Sequence, residues 1–536
     1  MKLVIKEGPT VIDDKVVEDQ CFKKILYAPR QPHSHKLYID EIVIPKSAKE
    51  IRWHDFASHV WPAELVCGVK ITILGELETI GSKAFFGFPI TKITLPQSLK
   101  FIGKEAFAYC QLLEQITIPD SVSSIGEGAF CNCIALQEVK LSNSLSSISK
   151  ELFSSCWYLR KVTLPKELKK IGPWAFSFCD SLTSISLPDS LECIEDCAFS
   201  DTPIKNLYVP KNVKKISEDN AFSTSLSITI VVDKENKVFD SRDNCNAIIL
   251  TKQNKLLYTT RNVYVPKTVD SISDCFDSAS DSYESICVDP ENKIFDSRDN
   301  CNAIIVTELN KLIVPSKKTV AIPESVESID CIFCSFNCDK FVIPEGVKDI
   351  DLLFHNCHIG ELVLPSTLEN CEIRKDSKSS FKAIKVDPRN KKFDSRDNCN
   401  SLIDSKNNEL LLASETTKIP SSVVSVNRNA FVTNSNEKKT VLVPEGVKYF
   451  SCHPGAKQRW IFVLPKSLRY FYEETDKDIF CYSGTYEEWK KNVICIPGSF
   501  KEKGIQNLRF YSEQKPKHGR QVFPYWHYVD GKPKKW

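Results

Sequence analysis

Six phenylalanines, Phe107, Phe130, Phe153, Phe176, Phe199 and Phe222, stand 23 residues apart. Ile102, Ile125, Ile148, Ile171 and Ile194 keep the same interval, and Ile80 with Phe85 forms an earlier copy 22 residues upstream. Aligned segments begin at Ile93, Ile116, Val139, Val162 and Ile185; the second reads ITIPDSVSSIGEGAFCNCIALQE. Each opens with I-x-L-P or a close variant, alternating apolar and polar residues as a short strand does. Pro then ends the strand, because it has no ladder donor. S-L-x-x-I-G turns the chain, and A-F-x-x-C-x-x-L returns with helix-like spacing. One copy has too little apolar surface to bury itself, so copies must stack and share a core. The period predicts an α/β repeat solenoid: short parallel strands stacked in an elongated arc, with an irregular or short-helical convex side.

The full pattern, C-x-x-L-x-x-I-x-L-P-x-S-L-x-x-I-G-x-x-A-F, resembles the BspA-like leucine-rich repeat family, with Cys in one usual Leu slot. The resemblance is strongest over residues 71–225. It implies a leucine-rich repeat superhelix of bacterial type whose work is protein–protein recognition, with adhesion to host, matrix or other cells as one role. Beyond Phe222 the repeat loosens. Three near-identical blocks, FDSRDNCN at Phe239, Phe295 and Phe393, lie between apolar runs and read as strand–turn–strand insertions. They also resemble an element of bacterial members. Repeat-type strands continue between and after them, with Pro323, Pro344 and Pro365 every 21 residues and later Pro444 and Pro465. SGTYEEWKKN (483–492) and YWHYVDGKPKKW (525–536) are similar to a terminal segment of the family. The expected organisation is an N-terminal cap over 1–70, regular repeats over 71–231, irregular repeats with three β-rich insertions over 232–474, and a cap over 475–536 that covers the last coil's core edge.

Composition excludes several classes of function. The chain has 71 basic and 69 acidic residues among 536, a net charge of +2. That removes the electrostatic footprint of a nucleic-acid binder. No apolar run approaches the ~18–20 residues of a membrane span. The longest near the N-terminus is Leu3-Val4-Ile5, short of the ~7–15 residues of a secretory leader. On these grounds the expected location is cytoplasmic, with the cell surface or secretion by an unrecognised route as the alternative. Phosphate-loop, dinucleotide and nucleophile-elbow motifs are missing, so no enzyme activity and no cofactor are expected.

The 22 cysteines need a reading by position. Cys110, Cys133, Cys156 and Cys179 each follow a repeat Phe by three residues. Stacking places them ~5 Å apart in one column, close enough for disulfides. A ladder of buried thiols is the preferred reading, since Cys behaves as a small hydrophobe. Cys331, Cys334, Cys338, His355, Cys357 and His358 resemble a zinc set. Aligning Phe333 on Phe354 instead puts Cys331 against Leu352 and Cys338 against Ile359, in core slots at separate heights. Asp240, Asp243, Asn244 and Asn246 offer oxygens as a calcium loop does, without its Gly or closing Glu; Asx turns explain them as well. Arg242, Arg298 and Arg396 are expected to pair with an adjacent Asp or a strand carbonyl. Nothing fixes His33, His35, His54 and His59 on one face as metal ligands. No metal is expected.

What remains is the strand surface. The residues between the two inward apolar positions are Thr94, Thr117, Lys140, Thr163, Ser186 and Tyr208, with Asp120 and Asp189 beside them. The resemblance places them on the concave face, where they are the expected ligand-binding residues for a protein, or alternatively a glycan. A merely solvated strand face would be equally rich in Thr and Ser. The pattern also yields a stability test. Phe153→Ala should cost ~3–5 kcal/mol, the usual range for a core aromatic, and lower the chemical-denaturation midpoint accordingly. An unmoved midpoint would remove the Phe column from the core.

Overall fold

A computed structural model describes residues 2–17, 40–52, 68–218, 220–222, 229–273, 276, 283–376, 378–431, 439–452, 460–473, 479–495, 508–512, 525–529 and 532–535. The chain divides into two compact units, residues 1–276 and 277–536. Each is a parallel-stranded solenoid, as the period requires.

In the first unit the I-x-L-P segments pair coil to coil. Glu138–Lys140 lies between Gln115–Thr117 and Lys161–Thr163, all parallel and in register. A second parallel sheet, unforeseen in the sequence, runs along the coils at the conserved Ile. Its two-residue strands include Phe101–Ile102 beside Ser124–Ile125 and Lys170–Ile171 beside Cys193–Ile194. Gly126 lets adjacent coils close there, since a Cβ at this position would stand 2.3 Å from the backbone nitrogen of Lys104.

The return segment is not a helix. It is a row of tight turns whose backbone groups bond to the next coil: Phe85, Phe107 and Phe130 N–H donate to the carbonyls of Ala106, Ala129 and Leu152 at 2.7–3.0 Å. Each turn needs two left-handed residues, two before and two after the Phe, as at Glu105 and Tyr109 or Trp174 and Phe178. The helix-like spacing arose because tandem turns also bring every third or fourth residue inward. The phenylalanines form one column, with ring centroids 5.1–5.7 Å apart and interplanar angles of 2–20°. Tyr258 closes the column edge-on at 5.5 Å. Its hydroxyl donates to Ser217 O at 2.5 Å and accepts from Ala221 N–H at 2.9 Å.

Each FDSRDNCN block opens a three-stranded antiparallel excursion. Phe239–Asp240 pairs with Ala247–Leu250, which pairs with Lys255–Thr259, and that strand rejoins the parallel ladder at Ser271–Ile272. The other two blocks repeat this course. The Arg clasps its own strand: Arg242 donates to both Asp240 oxygens at 2.7 and 2.6 Å, to Asn254 Oδ1 at 2.9 Å and to Thr268 Oγ1 at 3.1 Å. Arg298 and Arg396 make the same set of contacts. Asp240 thus faces a guanidinium. Asn236, just upstream, serves as a buckle: it donates to the carbonyls of Pro210 and Val213 and accepts from the N–H groups of Val238 and Phe239.

In the second unit the 21-residue coils are two residues shorter than those before. They drop the turn layer and become pairs of long strands joined by a tight corner at Ser335 or Asn356, both left-handed. Ser328–Cys334, Asp349–His355 and Asn370–Lys375 form one parallel face, and Asn337–Val342, His358–Leu364 and Ser380–Val386 the other. Cys331 pairs with Leu352 and Cys338 with Ile359, the register expected from the sequence. Toward the C-terminus the core turns aromatic. Trp489, on the short helix Tyr486–Asn492, packs edge-on against Tyr482 and Phe471, and Trp526 Nε1 donates to Tyr482 O at 3.0 Å.

One buried position breaks the pattern. Lys375 occupies the slot of Phe354 in the next strand, and its ammonium lies 5.3 Å from the Phe381 ring centroid and 3.5 Å from Ala413 O. Burial disfavours the charged form and brings its pKa down to about 8. Below that pH the folded state carries the charge into the core; the penalty fades as pH rises from about 8 towards the ordinary lysine value of ~10.4. Lys375→Met, similar in length and unbranched, should therefore stabilise the protein by roughly 2–3 kcal/mol at pH 7. The gain should shrink at pH 10 in matched urea titrations.

Candidate binding site

The outward strand positions of the first unit form a continuous file. Thr94, Thr117, Lys140, Thr163, Ser186 and Tyr208 are all exposed. Lys140 sits directly between Thr117 and Thr163, and Tyr208 pairs with Val231. The Tyr208 hydroxyl donates to Asp233, which pushes the phenol up to about 12. Near it, Ser186, Tyr208, Thr229 and Val231 line a shallow depression of about 310 Å³. Beside the file, Lys161 Nζ donates to Glu138 at 2.5 Å across neighbouring strands. Asp120 has a structural partner: its carboxylate accepts from Asn143 N–H at 2.9 Å, which holds its pKa below the usual range. Asp189 accepts from Asn212 through its backbone carbonyl at 2.8 Å.

A larger concavity lies in the second unit, at about 1210 Å³. Its floor is the outward face of Asn337–Val342, His358–Leu364 and Ser380–Val386. One wall is the third FDSRDNCN turn, including Asp394, Arg396 and Asn398. The floor is apolar at Val342 and Val363, which pair across adjacent strands. Val342 is 45% exposed and Val320, on the opposite wall, 66%. Charge is distributed around this strip. Glu361 bridges Lys385 at 2.8 Å and Lys340 at 3.6 Å, and the lysines lower its pKa. At the rim, Arg389 joins Asp387 and Glu345, and the guanidinium holds the Asp387 carboxyl near 2. The arrangement is a half-open trough with an apolar base and neutralised charged edges. Sequence reasoning stopped at Tyr208. The same slot, followed further, becomes Val342, Val363 and Leu442, apolar where a solvated strand would carry Thr or Lys.

The cysteine column is not simple filler. Each thiol donates to the carbonyl of a Phe in the preceding coil: Cys110 to Phe85, Cys133 to Phe107, Cys156 to Phe130 and Cys179 to Phe153, at 3.0–3.3 Å. In the next coil Thr202 Oγ1 does the same to Phe176 O at 2.6 Å. Cys357 and Ser379 repeat it in the second unit, on Phe333 and Phe354. The slot needs a small donor to meet a buried carbonyl, and Thr202 was the sequence signal for it. All described cysteines are free thiols, and burial pushes Cys110, Cys133, Cys156 and Cys179 well up. Among the described residues no group of three or more His, Cys, Asp or Glu side chains is placed to hold a metal ion. His33, His35, His54 and His59 lie outside the described residues. Exchange of one thiol tests the donor role. Cys133→Thr should hold stability within ~1 kcal/mol, whereas isosteric Cys133→Val should lose ~1–3 kcal/mol by leaving the Phe107 carbonyl without this donor. Equal midpoints for the two variants would reduce the column to packing.

Comparison with known proteins follows the geometry. A leucine-rich repeat protein from Bacteroides ovatus is 21% identical, covering 71% of this chain and 94% of its own, with a TM-score of 0.33. A leucine rich cell surface protein from Faecalibacterium prausnitzii is 15% identical, covering 92% and 90%, with a TM-score of 0.28. One from Eubacterium ventriosum is 13% identical, covering 81% and 80%, with a TM-score of 0.28. No curated protein matches. The cytoplasmic location expected from the sequence is corrected here, because the solved proteins it is similar to include one of the cell surface. No helix among the described residues is long and apolar enough to cross a membrane. The BspA type leucine rich repeat model matches in six copies over residues 33–121, 100–229 and 316–437, more than half of the chain, and the chain belongs to that family.

Proposed function

We propose that this protein is a binding module that recognises a protein partner on the outward faces of its parallel sheets, with the trough of the second unit as the main contact. The observation that carries this reading is the pair Val342 and Val363, apolar and outward, flanked by ion pairs that are already satisfied. Such a base gives up water readily, and its rim does not repel either charge; interfaces are built with an apolar centre and a polar rim. The wall supplied by the third FDSRDNCN turn is fixed by the Arg396 clasp, so little ordering cost falls on this side. Thr117, Lys140 and Thr163 form a second, more polar contact file in the first unit. A scaffolding or regulatory role needs no more than this. Adhesion adds the requirement that the partner be a matrix or cell-surface protein, a role favoured by the cell-surface relative.

The test uses the whole chain, immobilised and offered its own cell extract and, separately, solubilised matrix proteins. The partner retained is identified and titrated in purified form. Val342→Glu should weaken it at least tenfold, while Lys140→Glu should change it less than twofold. The opposite ranking would move the site to the first unit. A partner indifferent to both substitutions would rule out recognition through these faces.

A further inference from the structure

A different surface lies on the turn side of the first unit, away from both sheets' outward files. Trp157 and Tyr158 are 48% and 53% exposed, Trp174 and Phe178 38% and 42%, and Tyr109 and Leu112 both 42%. These residues come from a short run of coils joined by direct backbone bonds. Tyr109 N–H donates to Cys131 O, Asn132 N–H to Ser154 O, Ser155 N–H to Ser177 O and Tyr158 N–H to Ile134 O. They therefore share one face. An exposed aromatic cluster of this size is unusual on a soluble surface.

Backbone conformation makes the cluster harder to explain as chance. Tyr109, Trp174 and Phe178 occupy the two left-handed slots of the turn, with φ of 61°, 56° and 56°. Bulky side chains are disfavoured there, and Gly, Asn or Asp is the natural choice. Other coils take that choice, with Gly87, Gly128, Asn132 and Asp201 in equivalent positions. The turn imposes the left-handed conformation on every coil, yet here the chain fills it with rings that remain over a third exposed. The fold gains little from rings in those positions, so their use lies outside the molecule.

The surroundings indicate the chemistry. Between the rings stand Asn132, Ser154, Ser155 and Ser177, neutral donors and acceptors. The nearest ions are peripheral: Lys150 and Glu151 pair with each other at 3.2 Å, and Asp180 lies at one edge. Rings on coils two apart are ~10 Å from one another at the usual strand spacing, the length of a disaccharide. Aromatic faces stack on the C–H faces of pyranose rings, and hydroxyl and amide groups between them meet sugar hydroxyls. A protein partner would be expected to find charge at the rim; this face has almost none. We propose that the turn face around Trp157, Tyr158, Trp174 and Phe178 binds an uncharged polysaccharide chain, independently of the protein-binding faces.

Native affinity electrophoresis of the full chain through gels containing mannan, mixed-linkage β-glucan or arabinoxylan tests this, with heparin as the charged control. Retardation by at least one neutral polymer is expected, with quenching or a blue shift of tryptophan fluorescence. Trp174→Asn combined with Phe178→Asn should abolish retardation while leaving the thermal midpoint unchanged or higher, because Asn suits the left-handed slot. Trp157→Ala combined with Tyr158→Ala should weaken retardation at least tenfold. Migration unaffected by every neutral polymer, retardation by heparin alone, or retardation that survives both double variants would overturn the proposal. A fall of several degrees in the Asn variant would overturn it too, since the rings would then be serving the fold.

Discussion

Contact between successive coils is the constraint on which everything else rests. A 23-residue coil cannot bury Phe153 by itself. Phe130 and Phe176 cover its two ring faces at 5.7 and 5.5 Å. The same step brings the turn N–H of each Phe to a carbonyl of the next coil, and the thiol of each Cys to a carbonyl of the coil before. Stacking thus satisfies apolar area and backbone polarity along one axis. Loss at one coil weakens its neighbours, as nearest-neighbour coupling in repeat proteins requires. A coil also needs an end, and Tyr258 supplies one for the phenylalanine column by turning edge-on and using its hydroxyl on Ser217 and Ala221.

How legible this was depended on whether a feature repeats as an identity or as a geometry. The Phe and Ile columns repeat as identities, so the solenoid, its strands and its register could be read directly, including Cys331 against Leu352. The left-handed turn slots repeat only as a conformation. They are filled by Lys83, Glu105, Gly128, Glu151 and Trp174 in turn, residues with no common propensity, and the segment was read as helical instead. The donor slot is intermediate. Cys110 through Cys179 resemble apolar filler until Thr202 and Ser379 take the same hydrogen bond. The trough could not be read for another reason. Its floor follows the repeat rule, but its wall comes from an insertion 56 residues or more beyond the regular coils, and only folding brings Asp394 and Arg396 beside Val342.

The insertions also show how a rigid wall is made from polar residues. An antiparallel excursion on a parallel ladder exposes turn backbone and would fray alone. Arg396 prevents this by spanning its own strand, the following hairpin at Asn408 and the next coil at Ser422. Asn390 ties the entry of the same excursion to the carbonyls of Pro365 and Leu368. The oxygens that resemble a calcium loop in sequence thus belong to a covalently local, charge-assisted clasp of the strong bidentate kind. The near-neutral composition has a related origin. Lysines and acids alternate across coils, as in Lys169 and Lys214 about Glu192 or Lys348 beside Glu327, so charge cancels along the axis. Each exposed pair adds little stability, but the alternation avoids the self-repulsion that a stacked column of one sign would create.

The thiol count carries a final lesson about location. Reduced cysteines in quantity look like the mark of a reducing compartment, because exposed thiols oxidise elsewhere. That inference needs thiols that can react. Reaction proceeds through the thiolate, and burial keeps Cys110, Cys133, Cys156 and Cys179 protonated far above neutral pH. Each is also held as a donor to a carbonyl within the core, away from solvent oxidants. A thiol so placed survives in an oxidising compartment as well as in a reducing one, provided the coils stack before oxidation occurs. The ladder therefore records the hydrogen-bonding needs of the repeat and is silent about the compartment, which is why a cell-surface relative and a column of free thiols do not conflict.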